Sequence, residues 1–507
     1  MVRARVSRRE ALAALGALVA AGMPGCSSVA PTAQLAEPPE APREFRAAWI
    51  ASVANIDWPS RPGLPVEIQK DEARRLVRVA REVGLNALIL QVRPAADALY
   101  ASPLEPWSEY LTGEQGRAPD PWYDPLAYWI AEAHRAGIEL HAWFNPYRAR
   151  HSSARGPLAA SHVAHAHPAS VRSYGDMLWM DPGDPASADF AIAAILDVVR
   201  RYDVDGVHVD DYFYPYPIAT PDGTELPFPD DAPWAEYSAS GGALSRAAWR
   251  RANVDAFVAR LYGEVRRERD TIRVGVSPFG IGRPDRRPGG VAGFSQYDAI
   301  YADVERWLEN GWMDYLAPQL YWKSDSPGQP FAALLEYWQS QNAMGRHVWP
   351  GLFTSRIDDS EASWKPADIA GQIELARAAG TAGHVHFSIS ALAQDRRGIV
   401  GSLRSLYAKP ALVPPTPWLA RGRPAEPSVA ARVDPGSPGL VRVGVRGDAP
   451  WLLAAWAMYG NNWRFFVLPH GEGVIPLEDA AGKLAALVAT AVDRNGVESR
   501  RVRVSLA

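Results

Sequence analysis

The sequence predicts an α/β protein, a (β/α)8 TIM barrel followed by a C-terminal all-β sandwich of the fibronectin type. Residues 44–410 repeat an apolar strand-like run, a polar turn and a helical segment eight times. A Pro-rich stretch, 411–427, follows, and residues 428–507 return to short alternating apolar runs. The length of 507 residues also exceeds what one core usually holds. We therefore expect a large domain and a smaller one.

The first 26 residues are typical of a bacterial export signal. Residues 7–9 read SRR, which resembles a twin-arginine signal, and the apolar run 11–23 is too short to span a bilayer. Cys26 sits where a lipoprotein signal is cut and acylated, although Pro24 departs from the usual residues there. We expect a cell-envelope protein, periplasmic or at the outer surface, anchored to the membrane through a lipid on Cys26 if it is processed. Plain secretion is the alternative.

Composition limits the partners and the sources of stability. The formal net charge is −4, and no basic run interleaves with aromatic residues, so nucleic acid is not expected as a partner. Cys26 is the only cysteine, so the mature chain can form no internal disulfide and must rely on a large core. Residues 27–43, rich in Pro, Ala and Glu, predict a flexible linker.

The barrel prediction depends on alternating strands and helices. The candidate strands are FRAAWIASV, NALILQV, IELHAWFNPYR, DGVHVDDY, RVGVSPFG, YLAPQLYW, HVWPGLF and GHVHFSISAL. The helical segments between them include DEARRLVRVAREVG, DPLAYWIAEAHRAG, ADFAIAAILDVVRRY, RAAWRRANVDAFVARLYGEVRRE and PADIAGQIELARAAG. Eight such units favour a closed barrel over an open doubly wound sheet, and no Gly-rich phosphate fingerprint follows the first strand.

Polar side chains on the strands predict a binding site at the barrel rim. In the second strand Leu88, Leu90 and Val92 share one face, whereas Gln91 and Arg93 share the other, which we expect to point inward. The same alternation directs Asn145, His208, Asp210, Ser277, Gln319, Tyr321 and His386 inward. A purely structural barrel would fill these layers with Val, Ile and Leu, so a polar site at the carboxyl ends of the strands is expected.

Asp210 is the first candidate for catalysis, with Asp211 as its partner. Both carboxyls end the fourth strand, and glycosidic hydrolysis needs a carboxyl that protonates the leaving oxygen, usually with a second that attacks or activates water. Asp211 could instead fix a loop, or pair with Arg93 or Arg148. The other rim carboxylates, any of which could lie opposite Asp210, are Asp57, Asp97, Asp181, Asp285 and Asp325. A substrate with a 2-acetamido group could supply its own nucleophile.

No cofactor and no metal are expected. His162, His165 and His167 lack a helix or tight strand that would make three imidazoles converge on zinc, and no G-x-S-x-G elbow follows a strand. The excursion formed by residues 214–244 is long and rich in Pro and Gly. Its aromatic residues could be sugar platforms or simply pack together, and they are Tyr216, Phe228, Trp234 and Tyr237. The same ambiguity holds for Trp58, Trp107, Trp143 and Trp322.

Several blocks in order along the barrel resemble a known family. They are EFRAAWIASVANIDWPS, QVRPAADALY, WFNPYR, HPASVRSYGDMLWMDPG, DGVHVDDYFYPYP, VSPFGIG, YADVERWLENGWMDYLAPQLYW and HFSISAL. These blocks resemble the glycosyl-hydrolase-like family ten lipoproteins, which include DigH-type peptidoglycan glycan-strand hydrolases. Gly282 departs from the family pattern, where an aromatic residue is usual. The resemblance implies a barrel hydrolase of envelope glycan strands that favours denuded peptidoglycan, from which the stem peptides have been removed.

The resemblance also implies a set of site residues. The matched rim positions are Trp49, Asn55, Asp57, Trp58, Arg93, Asn145, Tyr147, Arg148, His208, Asp210, Asp211, Tyr212, Gln319, Tyr321 and Trp322. We expect Asp210 and Asp211 to be catalytic and the others to bind substrate, together with His386 from the strand alternation. Two alternatives remain open, a hydrolase of another polysaccharide and a non-catalytic glycan-binding envelope protein.

Overall fold

The computed structural model describes residues 37–506, so the predicted export signal and Cys26 lie outside the described residues. The strands are β1 Phe45–Ile50, β2 Ala87–Arg93, β3 Glu139–Phe144, β4 Arg148–Arg150, β5 Val171–Tyr174, β6 Met177–Met180, β7 Gly206–Val209, β8 Arg273–Val276, β9 Tyr315–Leu316, β10 His347–Val348, β11 Gly351–Leu352, β12 Gly383–His386, β13 Val429–Asp434, β14 Ser437–Val445, β15 Leu452–Tyr459, β16 Asn462–Pro469, β17 Glu472–Pro476, β18 Glu478–Asp479, β19 Gly482–Val492 and β20 Val502–Val504.

The α-helices are α1 Val66–Val83, α2 Glu109–Thr112, α3 Pro125–Arg135, α4 Val163–Ala166, α5 Pro185–Arg201, α6 Asp231–Ala239, α7 Arg246–Glu268, α8 Gln296–Ala299, α9 Val304–Asn310, α10 Phe331–Ser340, α11 Pro366–Ala378, α12 Ile389–Ala393 and α13 Ile399–Leu406. Short 3-10 turns cover Val53–Asn55, Pro168–Ser170, Thr354–Arg356, Arg396–Gly398 and Pro417–Leu419. In the part of the chain from residue 37 to residue 506, none of these helices combines the length and apolar character that crossing a membrane needs.

The large sheet is parallel and curled. Its strand order is β10-β9-β8-β7-β3-β2-β1-β12-β11, and each of the eight predicted runs contributes to it. The two end strands, β10 and β11, are separated along the chain by only Trp349 and Pro350. Since β10 pairs with β9 and β11 pairs with β12, the sheet curls round on itself, with the helices outside. This mixed α/β architecture is of the TIM-barrel type.

The two faces of each strand bury different layers, as the alternation predicts. Leu88 and Leu90 of β2 belong to the large apolar layer between strands and helices, together with Leu76 of α1 and Trp129 of α3. Ile89 belongs to a separate cluster inside the barrel that also holds Trp49, Trp143, Tyr315 and Trp349. The strand register therefore decides which side chains face the barrel interior.

The segment after β3 contains a small sheet that the sequence did not predict. Strands β4, β6 and β5 form an antiparallel sheet in which Arg148 lies opposite Trp179. Trp179 is buried and donates its indole N–H to the carbonyl of Phe213, 2.9 Å away. This sheet therefore holds Arg148 next to the segment that follows β7.

The C-terminal residues form two antiparallel sheets. One has the order β13-β14-β17, and the other has the order β16-β15-β19-β18, with β20 also paired to β19. Val441 and Ile475 from the first sheet share a buried cluster with Leu453 and Leu487 from the second, so the all-β prediction holds.

These sheets pack directly against the barrel. His470 lies 3.0 Å from the carbonyl oxygen of His134, and Trp451 meets the His134 ring edge-on. Arg494 forms ion pairs with Asp203 and Asp205. Both parts belong to one compact unit, Glu40–Ala507.

Candidate functional site

A pocket of about 260 Å³ lies at the carboxyl ends of the barrel strands. Its aromatic lining residues are Trp49, Trp143, Tyr212, Tyr321 and Phe387, and its polar lining residues are Gln91, Arg148, His151, Asp210, Ser277 and Gln319. Ala51, Val53, Ala54 and Ile56 complete the wall. Of the residues the structure describes, Asp210 alone brings a carboxyl group to this lining.

Asp210 follows β7 directly, and two amide side chains hold its carboxyl. Asn145 Nδ2 lies 3.3 Å from one oxygen, and Gln319 Nε2 lies 3.4 Å from the other. The backbone N–H of Asp211 donates to the latter oxygen at 2.9 Å. Burial raises the pKa of Asp210, because the charged form loses its hydration, although these donors oppose the shift. The carboxyl therefore sits in a dry site with donors already in place.

Asp211 lies behind Asp210 rather than in the pocket. Its carboxylate accepts a hydrogen bond from the Tyr216 hydroxyl, which ties it to the 214–244 excursion. Burial, and then the nearby Asp210 carboxylate, raise the pKa of Asp211 well above its ordinary value. The aspartate pair therefore retains a proton at pH values where an exposed aspartate would be ionised. Among the described ion pairs, none joins Asp210 or Asp211 to Arg93 or Arg148, so that alternative for Asp211 does not hold.

Asn145 is oriented by its neighbours. Its Oδ1 accepts from Gln91 Nε2 at 2.6 Å and from Arg148 Nη2 at 2.9 Å, which directs Nδ2 towards Asp210. Gln91 Oε1 in turn accepts from the backbone N–H groups of Ser52 and Val53, at 2.9 and 2.8 Å. Buried amides with every group paired hold one geometry. The ends of β1, β2 and β3 are thus connected to the carboxyl that follows β7.

His208 supports the pocket from below. Trp49 Nε1 donates to His208 Nε2 at 3.2 Å, so the imidazole proton is on Nδ1, which lies 3.0 Å from the Tyr315 hydroxyl. Ser277, which lines the pocket, contacts the same Nε2 at 2.9 Å. Burial lowers the pKa of His208 well below its ordinary value, so the ring is neutral. It positions Trp49 and Ser277 and does not itself line the pocket.

The structure brings eight of the predicted site residues into or directly beneath the pocket. They are Trp49, Asn145, Arg148, His208, Asp210, Tyr212, Gln319 and Tyr321. Tyr212 lies under the Arg148 guanidinium, 5.0 Å from ring centre to cation, and Tyr321 stacks on Phe353 at 4.8 Å.

Three other predicted residues are saturated by protein partners near the rim. Arg93 Nε and Nη2 both donate to the Glu105 carboxylate, and neither side chain is exposed. Asp57 accepts from the hydroxyls of Ser388 and Ser390 and from the backbone of Ala51, which joins the end of β1 to the end of β12. Asn55 donates to two backbone carbonyls, those of Pro59 and Tyr110. These contacts support the loops at the rim, and substrate binding by Arg93, Asp57 and Asn55 stays a prediction.

Four more predicted residues lie in the core or outside the pocket. Trp58 is buried against Trp129 and donates to the carbonyl of Gln69. The core also holds the Tyr147 ring, and His386 is fixed between Thr354 and the Tyr407 hydroxyl. Trp322 packs edge-on against Phe279 and does not line the pocket. His386 thus faces away from the barrel interior, contrary to the predicted alternation. Substrate contact by the partly exposed Trp322 stays a prediction.

Besides the aliphatic wall, sequence reasoning missed two lining residues, His151 and Phe387. His151 follows the short strand β4, and Phe387 follows β12 by one residue. The predicted alternation of β12 was wrong, because Val385 and Phe387 face the barrel interior and His386 faces outward. The opposite alternation would have found Phe387, whereas no periodic signal marks His151. Of the aromatic residues whose role the sequence left open, Trp143 lines the pocket. Trp234 and Tyr237 stack on each other and pack against Trp249. The simple packing alternative therefore holds for most of the excursion.

Other titratable clusters do not extend the site. Asp97, Asp181, Asp285 and Asp325 do not line the pocket. His162 caps α4 and lies 3.3 Å from the carbonyl of Ala95. Across residues 37–506 no three His, Cys, Asp or Glu side chains are grouped so that they could hold a metal ion.

A curled parallel sheet of the TIM type, with a buried acid in an aromatic-walled pocket at its strand ends, is the arrangement of a glycoside hydrolase. Residues 44–365 match the model of the family described as glycosyl hydrolase-like 10, and the chain belongs to this family. The resemblance seen in the sequence blocks is thereby confirmed.

Similar proteins agree with this assignment. The glycosyl hydrolase YngK of Bacillus subtilis (strain 168) is 42% identical over 399 residues, which cover 76% of each chain. The glycosyl hydrolase DigH of Escherichia coli (strain K12) is 34% identical over 317 residues, 58% of this chain and 69% of DigH. The glycoside hydrolase domain of PgaB (BpsB) from Bordetella bronchiseptica shares the fold, with a TM-score of 0.50 at 14% identity over 74% of this chain and 100% of that domain. This protein is a glycoside hydrolase.

Proposed function

We propose that this protein cleaves glycan strands of the bacterial cell envelope, with denuded peptidoglycan as its substrate, and that Asp210 is the catalytic acid. The observation that carries the proposal is the position of Asp210, a buried carboxyl with a raised pKa that faces an aromatic-walled pocket. The export signal predicted for residues 1–26 and the resemblance to glycan-strand hydrolases support an envelope substrate. Lipidation of Cys26 would keep the enzyme at the membrane surface.

The lining of the pocket favours a substrate-assisted mechanism. Among residues 37–506, no carboxyl other than that of Asp210 lines the pocket, so the substrate's own 2-acetamido group is the proposed nucleophile. Asp210 donates a proton to the leaving glycosidic oxygen while the carbonyl oxygen of the substrate's 2-acetamido group attacks C1. Water then opens the cyclic intermediate and returns a proton to Asp210, so the net reaction is hydrolysis with retention. A hydrogen bond from Asp211 would stabilise the ionised form of Asp210 after it has given up its proton.

The C-terminal sheets would serve binding or spacing. We propose a fibronectin-type sandwich for residues 428–507, supported by one sheet of order β13-β14-β17 that shares a core with β16-β15-β19-β20. In this arrangement residues 44–410 carry the chemistry, and residues 411–427 connect the two parts.

Product analysis tests the proposed reaction. We expect the purified protein to release short soluble glycans with reducing ends from amidase-treated sacculi, detected by mass spectrometry, and to release far less from untreated sacculi. Chemically N-deacetylated strands should not be cleaved, because they lack the attacking carbonyl. Anhydro ends would indicate a lyase. Cleavage confined to other polysaccharides, or undiminished cleavage of deacetylated strands, would contradict the proposed substrate or the mechanism, respectively.

Labelling tests the proposed location. Cells given a radioactive fatty acid should incorporate label into the wild-type protein but not into Cys26→Ser. Equal label in both proteins, or none in either, would contradict lipidation of Cys26.

A further inference from the structure

We infer that Arg148 and His151 form an anion subsite in the pocket, which binds the free lactyl carboxylate of a muramyl residue in the glycan. This inference rests on the proposed function and deepens it, because it names the substrate group that the pocket recognises. Its evidence is a buried guanidinium without an ion-pair partner beside an imidazole with an unused N–H.

Arg148 is a buried cation that protein groups only partly satisfy. Its side chain is 3% exposed, yet it lines the pocket. Nε donates to the carbonyl of Pro94 at 2.8 Å and Nη2 donates to Asn145 Oδ1 at 2.9 Å. Within residues 37–506, Nη1 has no hydrogen-bond acceptor and no carboxylate lies within ion-pair distance of the guanidinium. Its charge lowers the pKa of Asp210 against the effect of burial, but the two groups form no ion pair. A buried cation with so few direct partners favours an anionic ligand.

Arg93 shows that this arrangement is not general in the molecule. Arg93 is also fully buried near the rim, but the Glu105 carboxylate accepts from its Nη2 at 2.6 Å and from its Nε at 2.9 Å. Its remaining donor reaches the carbonyls of Asn145 and Pro146. Arg93 is therefore neutralised within the fold, whereas Arg148 is left to face the pocket.

His151 contributes a second donor on the same wall. The backbone N–H of Ser153 donates to His151 Nδ1 at 3.1 Å, which places the ring proton on Nε2. Burial, and then the charge of Arg148, lower the pKa of His151 to about 4, so the ring is neutral near neutral pH. Nε2–H makes no hydrogen bond to any described residue. It can therefore donate to a ligand oxygen in the pocket that His151 lines.

Asp210 shares the pocket, and its charge decides whether a second carboxylate can enter. Asn145 stands between the two groups, 2.9 Å from Arg148 and 3.3 Å from Asp210. Burial raises the pKa of Asp210, which favours its neutral acid form and weakens repulsion of an incoming carboxylate. The bound anion would in turn help to keep the acid protonated.

The chemistry of the lactyl group links this subsite to the reaction that produces the substrate. In intact peptidoglycan the lactyl carboxyl is consumed in an amide bond to the stem peptide. Hydrolysis of that amide releases the carboxylate that Arg148 would bind. An amidase-type reaction would therefore supply the substrate. The need for denuded strands would follow from recognition of the free carboxylate as well as from steric exclusion of the stem peptide.

The test compares strands with free and with blocked carboxyls. Denuded strands are either left untreated or converted to methylamides with carbodiimide and methylamine, and kcat/KM is measured with the full chain. Wild type should favour the free carboxylate by about 10- to 100-fold, the value of a charge-assisted hydrogen bond. Arg148→Gln should reduce this preference to about twofold or less, while Arg148→Lys should keep part of it. His151→Ala should lower the preference for the free carboxylate less than Arg148→Gln does.

Arg150→Gln is the matched control, since Arg150 lies two residues further along β4 and binds the carbonyl of Gly156 outside the pocket. Its preference should equal that of wild type. If Arg148→Gln lowered both rates equally and left the preference unchanged, Arg148 would merely position Asn145 and the subsite would be overturned. Arg148-dependent selectivity for the uronates of hyaluronan fragments, without any for lactyl groups, would overturn the lactyl assignment.

Binding to Asp210→Asn separates this inference from the proposed function. A cleavage-deficient variant should still bind free strands more tightly than methylamide strands, and added Arg148→Gln should abolish the difference. Absence of cleavage by wild type, with this binding difference intact, would refute the proposed function alone. Equal binding of both strands would refute the subsite alone.

Discussion

Arg93→Met should destabilise the fold rather than simply weaken substrate binding. The Arg93 and Glu105 side chains are both 0% exposed and lie 2.6 Å apart at the nearest nitrogen and oxygen. Removing one partner leaves a buried, uncompensated carboxylate, which typically costs about 3–5 kcal/mol. Arg93 also donates to the carbonyls of Asn145 and Pro146, at 2.6 and 3.0 Å. Activity should fall as well, because these bonds hold the loop that carries Asn145.

Denaturant unfolding of the full chain measures this effect. The double variant Arg93→Met/Glu105→Leu should recover most of the lost free energy of unfolding, because an apolar pair of similar volume needs no charge compensation. The remaining deficit, about 1–2 kcal/mol, would reflect the two lost hydrogen bonds to carbonyls. Arg74→Met, which breaks the exposed pair with Asp71 on α1, is the control and should leave the unfolding midpoint unchanged.

The opposite pattern would refute the reasoning. If Arg93→Met unfolded at the wild-type denaturant concentration while kcat/KM fell, Arg93 would act on the substrate, as the sequence alone suggests. If the double variant were no more stable than the single one, the buried carboxylate would not be the source of the loss.

Two further predictions concern pH and the contact between the barrel and the C-terminal sheets. Burial raises the pKa of Asp97 to about 7, so its contribution to stability is full below the unfolded pKa and is lost as pH rises towards 7. The unfolding temperature of Asp97→Asn, relative to that of wild type, should therefore increase as pH rises from 4 to 8. A difference between the two temperatures that does not change with pH would contradict this. Arg494→Gln leaves Asp205, whose side chain is 1% exposed, with only His134 and the Leu140 N–H as described side-chain and backbone partners, and should lower the free energy of unfolding by about 2 kcal/mol at pH 7. The loss should shrink as acid protonates Asp205, and a loss that grows in acid would count against this pairing.

The sequence predicted the barrel because its signal is local and repeated. Leu88 and Leu90 alternate with Ile89 and Gln91, and the structure places these pairs on opposite faces of β2. The small sheet that contains Arg148 was missed, because β4, β5 and β6 are only three or four residues long. Strands of that length carry too few alternations to be recognised.

The site was harder to predict. Strand alternation indicates which face of the sheet a side chain lies on, but not how far it lies from the pocket or which residues it contacts. His208 does point inward, yet it lies beneath the pocket against the Tyr315 hydroxyl. His386 instead faces outward to the Tyr407 hydroxyl, because Val385 and Phe387 take the interior positions on either side of it. Asp57 lies at the right end of its strand, but serines more than 300 residues away satisfy it. Such long-range partners have no signature in one sequence.

Asp210 was predictable because it ends a strand whose alternation is clear and because a carboxyl at that position has few structural uses. His151 was not predictable, since its place in the pocket depends on the turn to Ser153 and on the small sheet that precedes it. The candidate acid was therefore found from a local pattern, whereas the proposed anion-binding wall is visible only in the tertiary structure.

The catalytic role of Asp210 can be measured directly by comparing Asp210→Asn with wild type on denuded glycan strands under single-turnover conditions. The account predicts that the variant folds, binds strands and releases reducing ends about 10²- to 10⁴-fold more slowly, the usual contribution of a general acid. Asp285→Asn, at an exposed carboxylate paired with Arg283 outside the pocket, should match wild type. Release of reducing ends by Asp210→Asn at the wild-type rate would contradict the central claim.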